Sequence, residues 1–104
     1  MTLKTTVFDP AKYLTDPEEQ EELLEEAFAT GHPAFIANAL GIVARARGIT
    51  ATARQAGVTR EALHKAFSVD GNPTLTTLLG VTKALGYRLS LVPIVLEAEV
   101  GAAE

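Results

Sequence analysis

The chain has 104 residues, a formal net charge of −4 and no cysteine. That length suits one domain with a modest core. The missing thiols exclude disulfides, thiolate metal sites and cysteine nucleophiles. The two histidines, His32 and His64, lack metal-ligand spacing, so neither a metal nor any other cofactor is expected.

Charge is unevenly placed. Residues 1–31 hold two lysines against eight carboxylates, a net −6. Residues 32–96 hold seven lysines and arginines against Glu61 and Asp70, a net +5, and the tail 97–104 adds −3. An acidic arm joined to a basic middle suggests two partners of opposite charge, although solvation alone can maintain such surfaces. No lysine-led apolar leader opens the chain, and the apolar run Leu91–Leu96 is short and broken by Pro93. A cytoplasmic protein with no membrane partner is therefore the expectation.

In chain order, residues 1–9 are extended in character, with Thr5, Thr6, Val7 and Phe8 β-branched or aromatic and Pro10 closing the run. Asp16-Pro17-Glu18-Glu19 starts a helix, with Asp16 accepting from the N3 amide, Pro17 at N1 and Glu19 completing a capping box. This helix runs to about Ala29, carries Leu23, Leu24, Ala27 and Phe28 at helical spacing, and stops at Gly31. Pro33 opens a second helix to about Arg47, apolar nearly all round and hence central; Arg45 and Arg47 suit the negative end of its dipole. Three short helices follow: Thr50–Gln55 stopped by Gly57, Thr59–Phe67 capped by Thr59, and Pro73 or Thr74 to Leu85 with Gly86 after it. Residues 87–92 then alternate with period two, which predicts a strand ended by Pro93, and residues 97–104 read as a frayed tail.

The stretch from Gly48 to Gly86 carries the function. Ala53 to Thr59 reads as the turn of a helix-turn-helix: Ala53 is small enough for close approach, Gly57 takes the left-handed turn position, and Val58 fills the space beneath. At 100° per residue from Arg60, His64, Ser68, Glu61 and Lys65 fall between about 40° and 140°. Ala62, Ala66, Leu63 and Phe67 fall between about 200° and 340°. One face docks on a core while the other offers donors and acceptors to a DNA major groove. Arg60 suits guanine O6 and N7. Glu61 either accepts from cytosine N4 or orients Arg60 or Lys65. His64 and Lys65 reach a base or a phosphate, and Thr50 and Thr59 stand near helix N-termini that commonly hold phosphate. The plain alternative is the charged outer face of any small bundle.

The string Gly57-Val-Thr-Arg-Glu-Ala-Leu-His-Lys-Ala-Phe-Ser68, followed by Gly71-Asn-Pro-Thr-Leu75 and Lys83-Ala-Leu-Gly86, resembles the phage-repressor-like (XRE/Cro-C1 type) helix-turn-helix of the HigA-like addiction-module antidote family. Phe8-Asp-Pro-Ala-Lys-Tyr-Leu14, the acidic helix from Asp16, and Ala39-Leu40 before Ala44-Arg45 resemble the same family's N-terminal half, so the likeness extends to about Pro93. It implies an antitoxin that neutralises a small basic RelE/ParE-like toxin encoded beside it and represses its own promoter. Carried over by position, Thr59, Arg60, Glu61, His64 and Lys65 are the implied DNA-reading residues. Ala51 stands where glutamine or another polar residue is frequent, Thr52 where an aliphatic residue is common, and His64 where tyrosine is frequent.

Six glutamates from Glu18 to Glu26 form an acidic ridge, and Glu18, Glu22 and Glu25 are its candidate contacts with a basic toxin. A lone strand leaves its backbone unpaired, so Tyr87, Leu89 and Leu91 are expected to pair either with Thr5–Phe8 or with a second chain. A homodimer suits two-fold operators. No nucleophile–base pair, phosphate loop or metal cluster is evident, so an enzyme is not expected. The expected architecture is a single mostly α domain: an extended segment and acidic helix over 1–31, about five lambda-repressor-like helices with the helix-turn-helix core at 33–86, and a small sheet from the two ends using a strand at 87–96. The alternatives to a DNA-binding antitoxin are a toxin-neutralising module with little or no DNA binding, and a stand-alone repressor.

Overall fold

A computed structural model describes residues 9–95. Asp9 caps a single 3-10 turn, Pro10–Lys12, accepting from the Ala11 amide at 3.1 Å. Five α-helices follow among the described residues: α1, Pro17–Thr30; α2, Pro33–Arg47; α3, Ile49–Ala56; α4, Arg60–Ala66; and α5, Leu75–Ala84.

Local chemistry sets most of these boundaries. Asp16 caps α1 through the Glu18 amide at 3.0 Å, which is the N2 rather than the expected N3 position. Thr59 and Thr74 cap α4 and α5 by accepting from the Ala62 and Thr77 amides. At the other ends, Gly57 and Gly86 take φ of +78° and +92°. After α3, the Val58 amide returns to Ala53 O and the Gly57 amide to Arg54 O. After α5, the Tyr87 amide returns to Thr82 O and the Gly86 amide to Lys83 O. Both ends are therefore complete Schellman motifs, with Val58 and Tyr87 as the partly buried residues that follow each glycine.

Helix α2 is central. Every residue from Ala39 to Ala44 is buried, and the helix supports the 3-10 turn, α1, α3 and α4, while α5 packs on α3. Leu40, Val43, Leu63 and Val81 are the largest fully buried side chains, joined by Leu24, Phe67 and Leu85. Two glycines set close approaches. A Cβ on Gly41 would lie 2.6 Å from Phe67 O, so the end of α4 rests directly on α2. A Cβ on Gly80 would lie 3.1 Å from Ala56 O, which lets α5 lie close to the end of α3.

The expected small sheet is absent: among the described residues there is no strand, and residues 87–95 form no ladder. The period-two pattern is nonetheless visible in burial. Tyr87 and Leu89 are half-buried, while Arg88 and Ser90 are exposed. The Schellman turn at Gly86 directs this segment across helical side chains, so its inward face is covered by packing, and alternation here records one-sided burial without strand pairing. Leu91, expected to pair, is 98% exposed. The proposed pairing segment Thr5–Phe8 and the tail 97–104 lie outside the described residues.

Candidate functional site

Helices α3 and α4 meet at the Gly57-Val58-Thr59 turn, and this turn sets how α4 is presented. On α4, Leu63 is fully buried and Phe67, just after it, is nearly so; they anchor the inner face against Leu40, Val43 and Val81. Arg60, Glu61, His64, Lys65 and Ser68 are all exposed, as the helical wheel predicts. Ala62 differs: assigned to the docked face, it is exposed, because α4 contacts its neighbours along a stripe centred on Leu63 and Phe67.

The chemistry available on this face is specific. Thr59 Oγ1 accepts from the Ala62 amide at 3.0 Å, which spends a lone pair and leaves its proton for an acceptor. Ser68 does the reverse: its hydroxyl donates to Lys65 O at 3.0 Å, so it presents only lone pairs outward. Glu61 forms no ion pair with Arg60 or Lys65, so all three charged groups stand free at the surface. With exposed Arg54 on α3, the two helices present three cations against one carboxylate.

Thr50 is exposed in the first turn of α3, whose N-cap is Gly48 and whose first amides receive no side-chain bond. Ala51 is also exposed and offers no polar group beside it. Thr52 is buried, and its hydroxyl donates to Gly48 O at 2.9 Å, which reconciles a polar residue with an interior position.

Helix α1, packed on α2, displays Glu18, Glu22 and Glu25 together with Glu19, Glu21 and Glu26, all exposed. No lysine or arginine lies within Pro17–Thr30. Between α1 and residues 87–90 runs a groove of about 280 Å³, floored by Leu24, Phe28 and Leu40 and rimmed by Glu21 and Glu25. Glu25 is the one ridge candidate at this groove; Glu18 and Glu22 do not line it.

A hub that sequence reasoning missed ties these regions together. Arg47 donates to Gln20 Oε1 at 2.7 Å, to Leu85 O at 2.6 Å and to Tyr87 Oη at 3.1 Å, and its guanidinium lies 5.6 Å from the Tyr87 ring centre. Gln20 is 3% exposed and also donates to Leu14 O at 2.8 Å. The available signal was Gln20 itself, an uncharged polar residue amid glutamates. Arg45, the other arginine assigned to the helix dipole, instead bonds Asp9 at 3.0 Å, and that hydrogen bond, with the one from the Ala11 amide, holds the Asp9 carboxyl below the ordinary aspartate range.

Among the described residues no group of three or more histidines, cysteines or carboxylates is placed to hold a metal, and no helix is long and apolar enough to cross a membrane. The family described as "Probable addiction module antidote protein" matches residues 4–93. An "Uncharacterized protein" of Haemophilus influenzae strain Rd is 42% identical over 91 residues, covering 88% of this chain and 94% of that relative. No solved structure matches the chain.

Proposed function

Since the chain belongs to the probable addiction module antidote family, we propose that it is the antitoxin of a bacterial type II module, acting as a homodimeric, HigA-like autorepressor that also neutralises a RelE/ParE-type toxin. The observation that carries the DNA-binding half is α4. It is anchored by Leu63 and Phe67, held by a Schellman turn, and presents Arg60, Glu61, His64 and Lys65 to solvent with little between them. In this reading α3 and α4 are a helix-turn-helix. Arg60 reads guanine, Glu61 reads cytosine, His64 and Lys65 contact bases or backbone, and Thr59 donates its remaining proton to phosphate. Ser68, with its proton committed to Lys65 O, contributes no donor in this conformation. The acidic α1 packs on α2 and is not part of the α3–α4 face.

A second reading, a toxin-neutralising module with little DNA affinity, is favoured by the overall charge of −4 and by apolar Ala51 beside the α3 N-terminus. One titration separates the two. The purified protein is measured against its own upstream promoter and a scrambled duplex at two salt concentrations, alongside Arg60→Ala and Lys65→Ala. A base-reading Arg60 gives a promoter preference that Arg60→Ala abolishes, at about 1–3 kcal/mol. Lys65→Ala lowers affinity for both duplexes if it contacts phosphate, with a shallower salt dependence. No promoter preference at either salt favours the second reading.

A further inference from the structure

The groove between α1 and residues 87–90 is an unfilled, largely apolar feature bordering the acidic helix. Its floor is Leu24, Phe28 and Leu40, one wall is Leu89, and Glu21 and Glu25 stand on the rim. Among the described residues neither glutamate has an ion-pair partner, and Arg88, also at the groove, pairs with neither. At about 280 Å³ the space suits one or two inserted side chains, below the roughly 300–1,000 Å³ of drug-sized ligand sites.

The groove continues into exposed apolar surface. Leu91, Val92, Ile94 and Val95 are 98%, 77%, 72% and 84% exposed. Among the described residues no backbone group from Arg88 to Val95 takes part in a hydrogen bond. Apolar side chains and unpaired backbone in one segment are what strand-adding partners use: main-chain bonds give affinity and alternate side chains enter pockets.

Two occupants meet this description, a second copy of the chain and a basic protein. Charge decides between them. A second copy seated here about a two-fold axis would bring another acidic α1, net −6 over Pro17–Thr30, toward the first. Like charges brought together at an interface oppose association. A basic segment meets Glu21 and Glu25 favourably.

We propose that this groove is the toxin seat: a segment of the basic partner lies along residues 88–92, inserts an apolar side chain over Leu24, Phe28 and Leu40, and sets lysine or arginine against Glu21 and Glu25. The assignment rests on the antitoxin reading and refines it, because it selects Glu21 and Glu25 from the six glutamates and adds Leu89 and the segment after it. On a helical wheel Glu19 and Glu26 lie about 140–160° from Glu21, away from the groove.

The test uses the full chain and the purified product of the reading frame adjacent to its gene. Calorimetry compares the native protein with Glu21→Lys/Glu25→Lys, with Glu19→Lys/Glu26→Lys, which makes the same charge change elsewhere on α1, and with Leu89→Asp. Circular dichroism checks that each variant is folded. The groove predicts at least a tenfold loss for Glu21→Lys/Glu25→Lys and for Leu89→Asp, and less than about threefold for the control pair. Methyl resonances of Leu24 and Leu40 in the native protein should shift on adding the partner, a readout independent of any variant. Equal losses for the two charge pairs, or unshifted methyls with binding intact, overturn the groove and leave the antitoxin reading standing. Absence of any binding by the native protein overturns both. A homodimer of the native chain that Leu89→Asp splits assigns the groove to a second copy, and that also overturns the proposal.

Discussion

Arg47 Nε donates to Gln20 Oε1 at 2.7 Å, and through this bond the end of α2 is fastened to a buried position on the acidic helix. The same guanidinium closes the carbonyl of Leu85 at the end of α5 and lies against Tyr87. Three elements far apart in sequence thus converge on one planar cation, whose fork of donors a lysine does not reproduce.

The first prediction concerns that hub. Arg47→Ala leaves Gln20 Oε1 without its donor at a buried position. A buried acceptor left unpaired costs about 1–3 kcal/mol; because Arg47 itself is partly exposed, about 1–2 kcal/mol is expected. For a domain of this size that corresponds to a melting temperature lower by roughly 4–15 °C. Arg47→Lys should recover only part of the loss. Gln20→Ala with Arg47→Ala should cost less than the two single changes added together, since each alone strands the other's group. Thermal melts of the native protein and the four variants check this, and strict additivity would remove the hub.

Helix α1 is built against itself. Glu22 has Glu18 one turn before it and Glu26 one turn after it, and no lysine or arginine in the helix offsets them. Like charges at this spacing each cost about 0.2–0.5 kcal/mol. Glu22→Gln should therefore stabilise the isolated protein by about 0.5 kcal/mol at low salt, with the gain shrinking as salt screens the pair. Melting curves at about 20 mM and about 500 mM salt, where the screening length differs about fivefold, read it directly. A destabilising Glu22→Gln would mean that the ridge already has a partner within the chain.

Gly41 carries the third prediction. In a helix interior, glycine to alanine ordinarily gains about 1 kcal/mol. Here the new Cβ would stand 2.6 Å from Phe67 O and 3.3 Å from Phe67 Cβ. Backbone must then move, and overpacking of this kind costs about 1–3 kcal/mol. The clash outweighs the propensity, so Gly41→Ala should lower the melting temperature by several degrees. It should also displace the end of α4, weakening promoter binding if α4 reads DNA. An unchanged or raised melting temperature would show that α4 has room to shift.

What the sequence discloses about this fold is mostly what short-range bonds determine. Asp16, Thr59, Gly31, Gly57 and Gly86 announce their helix ends because each cap involves groups within five positions. Leu63 and Phe67 against Arg60, His64 and Lys65 are legible because a helix maps spacing onto faces. The strand was misread for a related reason. Period two at Tyr87 and Leu89 reports which side chains are covered, and a helical groove covers them as well as a neighbouring strand would. Arg47 illustrates the other limit: its position suits the helix dipole, but its acceptors sit at residues 20, 85 and 87, and only tertiary packing brings them together. Ser68 is exposed, as its spacing implies, yet whether its proton is free depends on a bond to Lys65 O that spacing does not reveal.

The last prediction is a pH dependence at Asp9. The bond from Arg45 at 3.0 Å, then that from the Ala11 amide at 3.1 Å, favour the ionised carboxylate and lower its pKa in the folded protein. A group lowered on folding stabilises the fold fully above its unfolded value, and the contribution disappears as pH falls through the folded value. Asp9→Asn should therefore melt lower than the native protein at pH 7, with the gap narrowing only once pH drops below the ordinary aspartate range. A carbon-detected NMR titration of the Asp9 carboxyl should show a midpoint below that of a model peptide, and Arg45→Met should raise it. A gap that persists unchanged to pH 2 would attribute the loss to the asparagine itself, and a midpoint unmoved by Arg45→Met would dissolve the link between the 3-10 turn and α2.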